Sequence, residues 1–196
     1  MDQTVLQLRT PLTEEVVESL KSGDRVHISG ILYAARDAAH IRMVEALSLG
    51  QALPFDPRGQ TIYYMGPTPA RPGRQIGSAG PTTAGRMDAY TVPLLQAGLR
   101  GMIGKGSRSR ATRQAMIEHK AVYFAATGGA AALIARSIRH SRVIAYADLG
   151  TEALHCLEVV QLPAVVINDV HGGDLYERAR ERFGRQQSAR HSEDCA

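Results

Sequence analysis

Arg25-Val26-His27-Ile28-Ser29-Gly30-Ile31-Leu32-Tyr33-Ala34-Ala35-Arg36-Asp37-Ala38-Ala39-His40 passes directly from a strand pattern to a helix pattern, the signature of an α/β fold. Its first eleven residues are rich in β-branched and aliphatic side chains and predict a strand from Arg25 to Ala35. The strand runs straight into Asp37, a good helix N-cap, after which Ala39, Met43, Ala46 and Leu47 recur at helical spacing. Upstream, Val5, Leu6 and Leu8 predict an edge strand before Pro11, and Thr13-Glu14-Glu15 opens a brief helix ending at Ser22-Gly23. Downstream, a loop over Gly50–Gly59 leads to a strand over Gln60–Met65. The long Gly- and Pro-rich stretch Gly66–Gly85 follows, of a length that is usually functional or disordered. Met87, Tyr90, Thr91, Leu94 and Leu95 then share a helical face that Pro93 must kink or shorten. Gly101–Gly104 (strand), Ser109–Lys120 (helix), Ala121–Ala126 (strand) and Gly128–Ile138 (alanine-rich helix) continue the alternation. Strands are expected near Arg142–Tyr146, Leu154–Val160 and Ala164–Asn168. Alternating strands and helices predict an α/β fold with a partly parallel sheet in one domain. Beyond Gly172 lies a polar, arginine-rich tail, helical up to Phe183 and frayed afterwards.

The 196 residues suffice for one good core, and 44% hydrophobic with 21% charged residues excludes a disordered chain, a collagen and a long coiled coil. No apolar run is long enough to span a bilayer. The opening Met1-Asp2-Gln3-Thr4 lacks the basic start and apolar stretch of an export signal, and the chain has two cysteines, Cys156 and Cys195. Both features point to the reducing cytoplasm. The net charge is +4, carried largely by arginine, the side chain that grips carboxylates with two parallel hydrogen bonds. These cations are dispersed and aromatics make up only 5% of the chain, which argues against nucleic acid as a partner.

Three strand-to-helix junctions each present a cation: Ala35-Arg36-Asp37-Ala38-Ala39-His40, Gly80-Pro81-Thr82-Thr83-Ala84-Gly85-Arg86-Met87-Asp88, and Gly104-Lys105-Gly106-Ser107-Arg108-Ser109. In open α/β sheets the carboxyl ends of strands and the amino ends of helices share one rim, which attracts anions. Arg36, Arg86 and Lys105 are therefore candidate partners of a small anionic ligand. Each has a plainer reading. Arg36 and Arg86 could pair with Asp37 or Asp88, Lys105 could be a solvated loop lysine, and Thr82 and Thr83 could be simple N-caps. Several motifs fail. The Walker loop needs glycine at 99, where Leu99 stands, and Ser or Thr at 106, where Gly106 stands. The dinucleotide fingerprint misses its last glycine, no Cys/His spacing suits zinc, and two cysteines cannot hold an iron–sulfur cluster.

The Gly-Pro-Thr-Thr-Ala-Gly-Arg-Met-Asp segment, with Arg-Asp-Ala-Ala-His before it and Lys-Gly-Ser-Arg-Ser after it, resembles the β-subunit of class I, iron–sulfur fumarate hydratase. The same unit forms the C-terminal domain of single-chain members and is similar to the β-subunit of L-tartrate dehydratase. The resemblance covers roughly residues 5–172, as the order of the elements reads. It implies a single swivelling β/β/α domain with a mixed sheet over 1–172, and a tail, 173–196, outside it. It also implies reversible hydration of fumarate to L-malate, with a 4Fe-4S cluster ligated by cysteines of a partner α-subunit rather than by this chain. One iron, free of a protein ligand, acts there as a Lewis acid. Carried over residue by residue, Thr82 is the catalytic base, and Arg36, Thr83, Arg86 and Lys105 bind the dicarboxylate. His40 and Asp88 stand behind them. A free threonine hydroxyl is a poor base, so Arg86 or Lys105 must stabilise its alkoxide character. The implied assembly is a hetero-oligomer with contacts between copies of this chain. Two other readings stay open: an L-tartrate or related hydroxy-diacid dehydratase subunit, and a partnerless anion-binding module.

Overall fold

The computed structural model describes residues 4–68, 73, 76–126 and 131–183. In chain order the elements are β1 (Leu6–Arg9), α1 (Glu14–Ser19), β2 (Arg25–Ala34), α2 (Asp37–Ser48), β3 (Thr61–Tyr63), α3 (Asp88–Gln96) and β4 (Gly101–Gly104). There follow α4 (Arg110–Glu118), β5 (Val122–Ala125), α5 (Ala131–Ser137), β6 (Ile138–Ala145) and β7 (Leu154–Asn168), with a last helix, α6, over residues 175–183. Two 3-10 turns, Ala84–Met87 and Ala147–Glu152, lead into α3 and β7.

The first five strands pair in parallel, as their helical crossovers require, and β7 returns antiparallel. Opposite β7, β1 pairs with the first half of β2 and β3 with its last residues. The long β7 pairs with β2 along one edge and with β5 and β6 along the other. The pairings β2–β3, β3–β4, β4–β5, β5–β7 and β7–β2 thus close on themselves, and the sheet is mixed. Side chains alternate across it. Tyr63, Ile103, Phe124 and Val166 join one buried cluster, whereas Ile62, Met102, Tyr123 and Ile167 join a second with Met43 of α2, Leu94 of α3 and Met116 of α4. All eight strand residues are essentially fully buried. At about 1.5–3 kcal/mol per large apolar side chain, these two layers fix where the strand ends lie.

Several boundaries differ from those the sequence predicts. The two strands expected around Leu154–Val160 and Ala164–Asn168 are one, because the irregularity at Val160–Gln161, opposite Ser29, is absorbed as a bulge while Leu162 and Pro163 pair in register with Ile28 and His27. Gln161 takes a left-handed backbone (φ 52°) and its N–H donates to Ser29 Oγ at 3.0 Å. The next residue of β2, Gly30 (φ 115°), pairs with Val159 and admits no side chain, since a Cβ would stand 2.6 Å from Thr10 Oγ1. Asp37 is not the cap of α2 but its first helical residue; Arg36 holds the cap position and its side chain makes no capping bond. The strand expected from Arg142 begins at Ile138, where pairing with Val159 starts, so α5 stops at Ser137. Pro93 is accommodated within α3, which closes three residues later. The start of the alanine-rich helix, Gly128 to Ala130, the centre of the long loop at 69–72 and 74–75, and residues 184–196 lie outside the described residues.

Candidate active site

The site is built where β2, β3 and β4 end side by side. Tyr64, just past β3, donates its N–H to Ile103 O at 2.8 Å and accepts the Thr82 N–H on its carbonyl at 2.6 Å. Thr82 O in turn accepts the Lys105 N–H at 3.1 Å, and Lys105 O accepts the Ala84 N–H at 2.8 Å, which brackets Thr83 in a parallel bridge to Lys105. The Thr82–Ala84 segment therefore takes over the position alongside β4 that β3 leaves. Gly104 makes room for it, because a Cβ there would meet Tyr64 Cδ2 at 2.9 Å and Thr82 O at 3.3 Å. The feet of the long loop are pinned nearby by Tyr63 Oη donating to Ala79 O at 2.5 Å and by Ser78 N donating to Thr68 Oγ1 at 2.7 Å. Thr83 stands at the start of the 3-10 turn yet caps nothing with its side chain, so its hydroxyl is not spent on the helix.

The charges follow from this backbone. Arg86 grips Asp37 with both ends of its guanidinium, Nε to Oδ1 at 3.0 Å and Nη2 to Oδ2 at 2.8 Å. Arg36 stands 4.0 Å from Asp37 and 3.4 Å from Glu152. Lys105 is exposed, and among the described residues no carboxylate lies within ion-pair distance of it. Three cations thus face two carboxylates on an open rim. The Arg86–Asp37 pair is half exposed on the arginine side, where such contacts contribute about 0.2–1 kcal/mol. An anionic ligand can displace it at small cost.

Beneath the rim lies a buried cation that sequence reading assigns no role. Arg108, its side chain fully buried, donates to Tyr64 Oη at 2.9 Å and to Thr91 Oγ1 at 2.6 Å. It also lies 5.3 Å from the ring centres of Tyr64 and Tyr123. Its Nε stands 2.7 Å from Asp88 Oδ1 at an angle unsuited to a hydrogen bond, so that contact is coulombic. Asp88 Oδ2 accepts the Ser109 N–H at 2.7 Å. Asp88 accordingly joins the start of α3 to the start of α4 from below, rather than pairing with Arg86. His40 is fully buried, and desolvation lowers its pKa to about 4, leaving a neutral ring at neutral pH. Its Nδ1 lies 2.8 Å from Arg36 O, an acceptor, so Nδ1 carries the proton. Nε2 has no partner among the described residues, and the ring packs edge-on to Tyr64 at 5.4 Å.

The rim brings together Arg36, Arg86, Thr82, Thr83 and Lys105 and sets His40 and Asp88 below. Glu152 is the residue that the sequence hides: it lies in a connector between strands, 114 positions from the helix end at Ala38 that it contacts. No group of three or more His, Cys, Asp or Glu able to hold a metal occurs among the described residues. Cys156 sits in β7, paired with Tyr33 of β2, and the two cysteines of the chain fall short of the three or four thiolates a cluster needs. The donor set does not fit an iron–sulfur cluster.

The chain is similar to known proteins over most of its length. It is 40% identical over 157 residues to "Fumarate hydratase class I, anaerobic" of Escherichia coli, a match covering 79% of this chain and 28% of that protein. It is 40% identical over 159 residues to "Fumarate hydratase 2" of Leishmania major, covering 80% of this chain and again 28% of the relative. The chain therefore spans less than a third of the length of these fumarate hydratases. It is also 34% identical over 177 residues to the "Putative L(+)-tartrate dehydratase subunit beta" of Methanocaldococcus jannaschii, covering 87% of this chain and 91% of that protein. The family model described as "Fumarase C-terminus" matches residues 1–179, and the chain belongs to that family.

Proposed function

We propose that this chain is the substrate-gripping half of a class I fumarate hydratase, a β-subunit that reversibly hydrates fumarate to L-malate only when joined to an α-subunit. The observation that carries the reading is the open rim on which three cations face two carboxylates, with Lys105 left without a counter-ion among the described residues. A dicarboxylate dianion supplies the missing negative charge. Arg36, Arg86, Lys105 and the Thr83 hydroxyl bind its two carboxylates. Thr82 moves the proton at the carbon that gains hydrogen on hydration and loses it on dehydration. Lys105, whose backbone N–H donates to Thr82 O, or Arg86 stabilises the alkoxide that such a base requires. Arg86 is occupied by Asp37 until substrate arrives.

In this reading the 4Fe-4S cluster belongs to cysteines of the α-subunit, and the chain works in the cytoplasm as part of a hetero-oligomer that also has contacts between copies of this chain. Residues 1–172 act as a swivelling β/β/α domain that closes the second side of the site, with 173–196 as a polar extension. Among the described residues no helix is long and apolar enough to cross a membrane. The match over 87% of this chain and 91% of a protein named as a putative L(+)-tartrate dehydratase subunit supports a second reading, in which the same charges grip a hydroxylated diacid. The test is anaerobic co-expression with a cysteine-bearing α-subunit, followed by parallel fumarate and L-tartrate assays. Faster turnover of fumarate supports the first reading. Faster turnover of tartrate selects the second, and activity on neither leaves an anion-binding module.

A further inference from the structure

Arg36 is held by a turn that none of the sequence motifs includes and that supplies Glu152 to the rim. The 3-10 turn Ala147–Glu152 is tied to α2 at both of its ends. Near its start, Arg42 of α2 donates to Asp148 Oδ1 at 2.8 Å and lies over the Tyr146 ring at 5.4 Å. At its end, Glu152 Oε2 accepts the Ala38 N–H at 3.0 Å, satisfying one of the free donors of the first turn of α2, while Oε1 stands 3.4 Å from Arg36 Nη2. Gly66 closes against both the arginine and the same turn. A Cβ there would lie 2.9 Å from Arg36 Cδ and 2.9 Å from Thr151 O, so the arginine stem and the turn pack against bare backbone at Gly66. His40 completes the hold from below, through Arg36 O. A flexible arginine is thereby restrained, with its buried Nε 4.0 Å from Asp37 Oδ2 and without a hydrogen-bond partner among the described residues. A binding arginine gains most when its rotamers are fixed in advance, because the ordering cost is then not charged to the ligand.

We infer that Glu152 is a positioning residue for substrate binding: one carboxylate oxygen anchors to the amino end of α2 and the other holds the Arg36 guanidinium in place for a substrate carboxylate. The inference rests on the dicarboxylate-site reading above. Its rival is that Glu152 competes with substrate for Arg36, or merely caps α2. Glu152→Gln separates these readings, because the amide oxygen still accepts the Ala38 N–H while the negative charge opposite Arg36 is lost.

The experiment uses the full chain, alone and in complex with a cluster-bearing α-subunit. In the chain alone, hydrogen exchange at the Ala38 amide should quicken in Glu152→Ala and stay near the original rate in Glu152→Gln; equal rates in all three would remove the anchor. In the complex, Glu152→Gln should raise the fumarate KM about three- to tenfold with kcat little changed, the range for a part-exposed coupled pair. The Arg36→Ala, Glu152→Gln double variant should be no worse than Arg36→Ala alone. An unchanged or lowered KM in Glu152→Gln, or additive losses in the double variant, would overturn the positioning role. A KM indifferent to Arg36→Ala would instead overturn the site reading itself, so the two failures are distinct.

Discussion

Replacing Arg108 with leucine tests the buried support of the rim. The guanidinium donates to Tyr64 Oη and Thr91 Oγ1 and faces Asp88, with none of its side chain exposed and 16% of the Asp88 side chain exposed. Its removal leaves a nearly buried carboxylate without a countercharge and two hydroxyls without their donor. Breaking such a pair costs about 3–5 kcal/mol. For a chain of this size that lowers Tm by roughly 6–20 °C, at about 2–4 °C per kcal/mol. Asp88→Asn placed in the Arg108→Leu background should recover part of the loss, because it neutralises the stranded carboxylate while an oxygen still accepts the Ser109 N–H. Urea and thermal melts of the full chain measure both effects. A loss below about 1 kcal/mol in Arg108→Leu, or no recovery in the double variant, would refute the reasoning that this ion is the buried tie between α3 and α4.

Three further outcomes are expected. In the complex with an α-subunit, Lys105→Ala should cut kcat/KM by tens- to several-hundred-fold, the scale of about 2–4 kcal/mol for losing one partner of a desolvated charge pair; an unchanged value would make Lys105 a plain loop lysine. Thr82→Ala should lower kcat about a hundredfold or more with an unaltered melt, whereas Thr83→Ala should mainly raise KM; an early melt with intact kcat in Thr82→Ala would move the base elsewhere. The third outcome concerns pH. Because burial lowers the His40 pKa to about 4, the unfolded chain binds a proton that the folded chain refuses between pH 6.5 and 4. Its contribution to stability is complete above pH 6.5 and is lost as the pH falls, by about 2 kcal/mol at pH 5, with nothing further lost below pH 4. Urea titrations at pH 7 and 5 should show this slope, and His40→Gln should flatten it; equal slopes would place the proton uptake on another group.

The alternation of strand and helix through β5 was legible because each element carries its own period and its own punctuation. The strand from Arg25 and the glycines around Lys105 are examples of local signals with local consequences. The continuity across Gln161–Pro163 is hidden for the opposite reason. A proline inside an apolar run looks like a break, and only the partner strand, which pairs His27 with Pro163 and sets Ser29 opposite the bulge, keeps β7 continuous. The cap of α2 falls one residue earlier, at Arg36, and the Asp37 side chain pairs with Arg86, 49 positions away, a contact that local sequence does not signal. Among the rim residues, the sequence could name cations but not their pairing. Nothing local distinguishes Arg86, which Asp37 grips, from Lys105, and nothing local singles out Glu152, whose relevance arises only when β6 and β7 fold the connector back over α2. Arg108 lies within a motif, yet nothing local assigns it a task, since its role depends on burial beside two tyrosine rings.

The proposal that this chain forms one half of a hydratase site predicts a clear difference between two samples, the full chain purified anaerobically alone and the same chain with a cysteine-bearing α-subunit, in iron content and fumarate hydration. The chain alone should be colourless and inactive, and the complex should bind iron and form L-malate. A brown chain that hydrates fumarate without a partner would overturn the half-site proposal.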